Sequence, residues 1–226
     1  MKFTIPHNTV KALLLAAGKN DTRYYLNSIL LDVRPSDSVL VATDGHIMLA
    51  LPVAPDGTAD DVPYTPGQYI IPRDLLETVK PAYKGADVTI EIIHHPVTFD
   101  AIRPNTPVKH PPTVAIHAGG TKLTGALVDA QYPYWRRVVP LEVSGIASQF
   151  DAEYIGTFGK INKLLGSKYS PAIAHNGAVD GTAGAARVRL VCGVGVIMPM
   201  RYDNAAALDN PSWLETSPSA PVAAAA

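Results

Sequence analysis

Residues 38–53 read SVLVATDGHIMLALPV, two apolar runs held apart by Thr43-Asp44-Gly45-His46. Asp44 and Gly45 are corner residues: Asp bonds its own backbone and Gly accepts a positive φ, so the stretch predicts a hairpin. A further strand, LNSILLDV from Leu26, precedes it across the polar turn Arg34-Pro35-Ser36-Asp37. Upstream again, Val10, Leu13, Leu14 and Ala17 recur at helical spacing. This predicts a helix over Asn8 to Ala17, with Asn8 or Thr9 as cap and Gly18 as stop.

The same order returns after the Pro/Gly/Asp-rich connection from Pro55 to Gly67. It runs through strand QYII, a helix from Pro72 to about Val79, then VTIEII, TVAIHA and KLTGALV. A third copy opens near Phe150, with Asp151 as N-cap and Tyr154, Ile155, Phe158, Ile161 and Leu165 as the apolar face, and Gly166 ends the helix. PAIAHN, ARVRLVC and VGVIMPM follow as strands. The chain thus reads as three successive strand-helix-strands modules. The stretch beyond Tyr202 has turn formers, Pro and Ala without a sustained period and is expected to be a tail without fixed structure.

With 226 residues, 47% of them hydrophobic and 17% charged, the chain can bury a sizeable core. Its 19 Lys+Arg against 20 Asp+Glu argue against a small, wholly basic groove-reading domain, while leaving room for a local basic stripe. Cys192 is the only cysteine, so an intrachain disulfide and a multi-cysteine zinc site are both excluded, and a reducing cytoplasm is the simplest compartment. The run Ala12 to Ala17 is too short for a signal segment, and no stretch approaches the roughly 20 apolar residues of a membrane helix.

Four separated motifs carry a resemblance: RYYLN at Arg23 to Asn27, VATDGH at Val41 to His46, YPYWRRVVP at Tyr132 to Pro140 and VIMPMRY at Val196 to Tyr202. In content and order they resemble the bacterial DNA polymerase III beta subunit, the beta sliding clamp. The resemblance implies an α+β fold of DNA-clamp (processivity-fold) modules, about three copies. Residues 1–140 resemble the family's middle domain, 141–202 the second half of its third domain, and 203–226 form the tail. Nothing here resembles the first domain. Family members close a ring around duplex DNA from twelve such modules, so three modules per chain imply a homo-oligomer of four copies for the same number. A module without its mate is expected to expose a sheet edge and an apolar helix face. It would cover them against residues 1–140 of its own chain or against the third module of another chain.

In the family, polymerases, clamp loaders and repair proteins insert a short clamp-binding peptide between the middle and third domains. By resemblance the floor of that pocket is Leu26, Thr43, Gly45, His46, Pro133, Val138, Val196, Met198, Pro199 and Met200. Arg137 and Arg201 stand at the rim, and Asp151 and Tyr154 border it. The residue types suit the task, since Met adapts to varied apolar anchors, Gly45 permits close approach and Arg holds carbonyls or carboxylates. Met198-Pro199-Met200 taken alone reads as a cap on a buried terminal strand, and it is the company of the other three motifs that turns the reading toward the pocket. The family usually has a basic residue after the His, whereas Ile47 and Met48 follow here. Contact with double-stranded DNA is implied for Arg23, Tyr24 and Tyr25 in a loop, and for Lys11, Arg73, Lys80 and Lys84 on or beside the first two helices. A solvated helix face is the plain alternative.

Other chemistries find little support. His94 and His95 are adjacent in an extended run and point to opposite faces, while His110 and His117 flank Pro111-Pro112, which is a poor metal-ligand spacing. No phosphate-cradling loop, nucleophile elbow or paired-carboxylate pattern is present, so neither enzyme nor cofactor is expected. Two binding readings remain: a clamp tethering a polymerase to DNA, and a non-ring decoy that competes with a full-length clamp for its peptides. Trp213-Leu214 in the tail is an aromatic-aliphatic pair able to fold back into the pocket.

Overall fold

A computed structural model describes residues 1–35, 37–57, 65–83, 85–99, 107–140, 149–176 and 184–200. Lys84, Arg201, the segment 141–148 and the tail with Trp213-Leu214 lie outside the described residues.

The first module is β1 (Lys2–Pro6), α1 (His7–Ala16), β2 (Ser28–Val33), β3 (Ser38–Thr43) and β4 (Ile47–Pro52). Helix α1 starts earlier than the Asn8 or Thr9 cap predicted, because Pro6 takes the N-cap position without a side-chain hydrogen bond. The second module is β5 (Gly67–Pro72), α2 (Arg73–Glu77), β6 (Asp87–Ile93), the short pair β7 (Thr98–Phe99) and β8 (Pro107–Val108), then β9 (Thr113–Ala118) and β10 (Thr121–Ala126). Helix α2 is shorter than the predicted run to Val79, although Leu76 and Val79 are buried as their spacing requires. The third unit is α3 (Ala152–Leu164), β11 (Ala172–Ala174), β12 (Ala186–Arg189) and β13 (Val194–Ile197). Asp151 caps α3, its carboxylate accepting from the Glu153 N–H at 2.7 Å.

The first two modules exchange their opening strands. β1 pairs with β6, and β5 pairs with β2, so one sheet runs β1-β6-β9-β10 and the other begins β5-β2-β3-β4. Each is the other's counterpart, strand for strand. The third unit then lengthens the second sheet: β13 lies antiparallel on β4, with Val196 opposite Met48 and Ile197 opposite Ile47, and β12 and β11 follow. Helix α3 packs beside α1 on the same side. The third unit therefore covers itself against the first module of its own chain. The expected apolar helix face is not left open, since among the large apolar side chains of α3 only Ile155, 40% exposed, faces outward.

One face of the seven-stranded sheet joins the four-stranded sheet and the helices in a common core that includes Phe3, Leu13, Ile29, Leu49, Ile90, Ile116, Phe158 and Ile197. The opposite face carries Leu30, Val41, Met48, Ile70 and Val196 beneath Tyr132 and Trp135. Burial on both faces explains why β2 and β4 read as near-continuous apolar runs rather than alternating ones. Asp32 is the charged residue buried there, at 3% exposure, and it accepts from Trp135 Nε1 at 3.0 Å with Arg34 and Arg136 alongside at 3.4 and 3.5 Å. That charge-assisted contact fixes the segment 132–138 across the sheet.

Candidate functional site

The β3–β4 turn is tied by its own side chains. Asp44 Oδ1 accepts from the N–H groups of His46 and Ile47, both at 2.8 Å, while Thr43 Oγ1 donates to the Ile47 carbonyl at 2.7 Å and accepts from the Gly45 N–H at 3.0 Å. Gly45 has φ +94°, a left-handed conformation that suits glycine. Around this corner lies a cavity of about 220 Å³, lined from four segments of the chain. Leu26 and Tyr25 come from the 3-10 turn Tyr24–Leu26, and Thr43 and Gly45 to Met48 from the hairpin. Pro133 to Trp135 and Val138 come from the segment over the sheet, and Val196 and Met198 from β13 and its exit. The Met198 N–H donates to the His46 carbonyl at 2.9 Å, so the seam between β4 and β13 itself forms one wall.

Eight residues inferred from the sequence meet here: Leu26, Thr43, Gly45, His46, Pro133, Val138, Val196 and Met198. Tyr154 stands one layer out, its ring stacked on His46 at 5.5 Å and 15°. Burial, together with Asp44, Asp151 and Glu153, pushes the Tyr154 phenol up, keeping it neutral. Asp151 is engaged as the α3 cap. Arg137, Pro199 and Met200 do not line the cavity: Arg137 is exposed on the 3-10 turn Trp135–Val138, and the Met200 N–H bonds the Gln149 carbonyl. Arg201 is outside the described residues.

The DNA candidates are scattered. Arg23 and Tyr25 face the cavity, and Tyr24 is exposed, its hydroxyl 3.4 Å from the Asp129 carbonyl. Arg23 is held by Asp21 at 2.8 Å and by the Asp44 carbonyl at 3.2 Å, so it sets the rim rather than swinging free. The same hydrogen bonds bring Asp21 down to about 2 and raise Arg23. Arg73 corrects the sequence reading of a surface cation. Its guanidinium donates to the carbonyls of Leu14, Ala17 and Gly18 at 2.8 to 3.2 Å and to Glu77 at 2.7 Å, closing the C-terminus of α1, where a cation meets the negative end of the helix dipole. Lys11 is exposed on α1 and Lys80 in the connection after α2, and Lys84 is outside the described residues.

Ile47, Met48, Tyr134 and Trp135 line the cavity without having been singled out as site residues. Met48 was within reach of the sequence, because on a strand it shares the face of residues 46 and 50 and so turns toward the segment over the sheet. The histidines each have a separate partner: His94 with Tyr69, His95 with Thr113, His110 with Thr98, and His117 with Glu91. Among the described residues no group of three or more His, Cys, Asp or Glu side chains is placed to hold a metal ion, and no helix is long and apolar enough to cross a membrane.

Comparison with known proteins adds a family. A model described as the DNA polymerase III beta subunit, central domain, matches residues 4–134. The beta sliding clamp of Escherichia coli strain K12 is 27% identical over 146 residues, covering 62% of this chain and 34% of that protein. That of Proteus mirabilis is 28% identical over 145 residues, with the same coverage. Among solved structures, the Borrelia burgdorferi subunit beta in complex with a natural product superposes with a TM-score of 0.58 at 13% identity, covering 89% of this chain and 64% of that one. The Bartonella birtlesii sliding clamp bound to griselimycin gives 0.55 at 20% identity, over 89% and 66%. The match thus spans about a third of the curated relatives' length.

Proposed function

The chain belongs to the DNA polymerase III beta subunit family, and from that premise we propose that its cavity takes clamp-binding peptides of polymerases and other replication proteins. The observation that supports this reading is the convergence of eight residues from four distant segments on one apolar hollow. A peptide offering an aliphatic and an aromatic anchor would bury them against Leu26, Met48, Val138, Val196 and Met198. Each buried anchor is worth about 1.5–3 kcal/mol before the cost of ordering the peptide, so two anchors alone reach roughly the millimolar range and polar contacts along the peptide backbone must add the rest. Met198, 41% exposed, can change rotamer to fit different anchors. Arg23 offers a fixed cation at the rim for peptide carbonyls or an acidic side chain. The role is binding and tethering rather than catalysis. Tethering to double-stranded DNA is the further step of the same reading, and of the basic candidates Lys11 and Lys80 are the exposed helix-side charges for it.

The test is a fluorescence-anisotropy titration with a labelled peptide carrying leucine and phenylalanine anchors. Met198→Ala should weaken binding about tenfold, from one lost apolar contact, and Val138→Asp should abolish it. Met200→Ala, outside the lining, should change little. Unaltered affinity in Val138→Asp would remove the cavity as the site.

A further inference from the structure

Residues 201–226 read RYDNAAALDNPSWLETSPSAPVAAAA, and in that stretch Trp213 and Leu214 are the one adjacent pair of large apolar side chains. The chain enters the stretch from a wall of the peptide cavity. Met198 lines that cavity, and a little further on the Met200 N–H donates to the Gln149 carbonyl, just ahead of the Asp151 cap of α3. From the same helix Tyr154 stacks on His46, so the last described residue stands beside the hollow. About a dozen residues separate Met200 from Trp213. Extended, they reach roughly 40 Å at about 3.3–3.6 Å per residue, which is ample for a return.

We propose that Trp213 and Leu214 occupy the cavity of their own chain and compete there with incoming peptide. The inference rests on the cavity being a peptide site and adds its regulation. The hollow fits the pair in size and shape. Its volume of about 220 Å³ exceeds the roughly 150 Å³ that admits a benzene ring, so it takes an indole. Adjacent side chains on an extended backbone diverge, and walls from four segments offer a surface to each, Leu26 and Val138 from two of them and Val196 with Met198 from a third. Charge agrees with this. Residues 201–226 hold Arg201 against Asp203, Asp209 and Glu215, while Arg23 lines the cavity and Arg137 is exposed beside Val138. Asp44, Asp151 and Glu153 gather instead around Tyr154. Glu215, next after Leu214, is therefore drawn to the arginine side.

Tethering sets the magnitude. A flexible linker of this length gives an effective concentration of about 1 mM, and two apolar anchors alone bind in roughly the millimolar range. The segment then fills the cavity about half of the time, and an outside peptide binds about twofold to threefold more weakly than it would to a cavity without it.

The full chain tests this when grown with 5-fluorotryptophan, because Trp135 and Trp213 are its two tryptophans and Trp213→Phe assigns the fluorine resonances. The Trp213 resonance should be displaced from its position in the synthetic peptide DNPSWLET, equally at every protein concentration. It should return there in Val138→Asp and on saturation with the leucine-phenylalanine peptide. In the anisotropy titration, Trp213→Ser combined with Leu214→Ser should bind that peptide about twofold to threefold more tightly than the wild type. A wild-type Trp213 resonance at the free position would overturn the proposal, as would unchanged affinity in the double variant. A displacement that fades on dilution would also overturn it, since the occupant would then come from another copy. Peptide that binds no variant, while the Trp213 resonance still responds to Val138→Asp, would remove the peptide reading and leave this segment as the cavity's occupant.

Discussion

The two halves of the first 126 residues have the same strand order and mirrored sheets, yet their hairpin corners differ in kind. At the β3–β4 corner, the side chains of Thr43 and Asp44 bond the turn, and Thr43 and His46 line a cavity. At the β9–β10 corner stand Gly119 and Gly120, with φ of +56° and +80°, a two-residue turn with nothing to present. The edges differ in the same sense, for β4 is covered by β13, whereas among the described residues no strand pairs with the outer edge of β10. A repeated framework supplies positions, and the proposed site lies where a neighbour completes the edge beside a corner that carries side chains.

The seam offers the largest way to break this contrast. A Cβ on Gly193, at φ +76°, would run into the Ala50 carbonyl across the β4–β13 junction, so Gly193→Ala should cost about 3 kcal/mol and weaken the peptide site with it. Gly120→Ala, at a similar φ with open space around it, should cost about 1 kcal/mol. Chemical denaturation of both variants measures the gap between the two edges.

Next comes the segment over the sheet. Asp32→Ala removes the partner of Trp135 Nε1 and leaves Arg136 beside a buried void, with an expected loss of about 2–3 kcal/mol and a shifted tryptophan emission. The corners themselves separate more finely. A Cβ on Gly119 would meet the Lys80 carbonyl and Ala82 backbone at 2.9 and 3.0 Å, whereas one on Gly45 meets only side-chain atoms, the guanidinium of Arg23 at 2.9 Å. Gly119→Ala should therefore destabilise more, by about 2 kcal/mol against about 1. Gly45→Ala alone should alter peptide affinity, since it displaces Arg23 from the rim.

The smallest effect lies on the outer face of the four-stranded sheet. Glu91 on β6 accepts from His117 on β9 at 2.7 Å and from Lys122 on β10 at 3.4 Å, with Lys2 on β1 at 3.7 Å. His117 first, then Lys122 and Lys2, hold its carboxyl below the ordinary 4.5. A depressed folded value contributes stability that is full above 4.5 and is lost as pH falls through the lower, folded value. Glu91→Gln should therefore cost about 0.5 kcal/mol at neutral pH, and the difference should vanish in acid, as pH-dependent denaturation would register.

Periodicity and turn chemistry made most of this framework legible: the Asp44-Gly45 corner, the Asp151 cap and the buried faces of α1 and α3 all follow from residue type and spacing. β1 was not legible in Lys2–Pro6, where alternation over so few residues carries little signal and the strand forms because β6 is there to receive it. α2 stopped short of its apolar run because burial of Val79 does not require a helix. In the site, motif residues located the cavity, while the role of Arg73 at the end of α1 was hidden. It spans residues 14 to 73, and a distant backbone carbonyl leaves no mark in the pattern.

On the proposed function, the corner joined to a completed edge binds peptide and its counterpart does not. Hydrogen exchange with and without the leucine-phenylalanine peptide tests it directly. Protection should rise over residues 43–48 and 196–198 and stay unchanged over 118–121. Protection confined to 118–121, or none at either corner under saturating peptide, would contradict it.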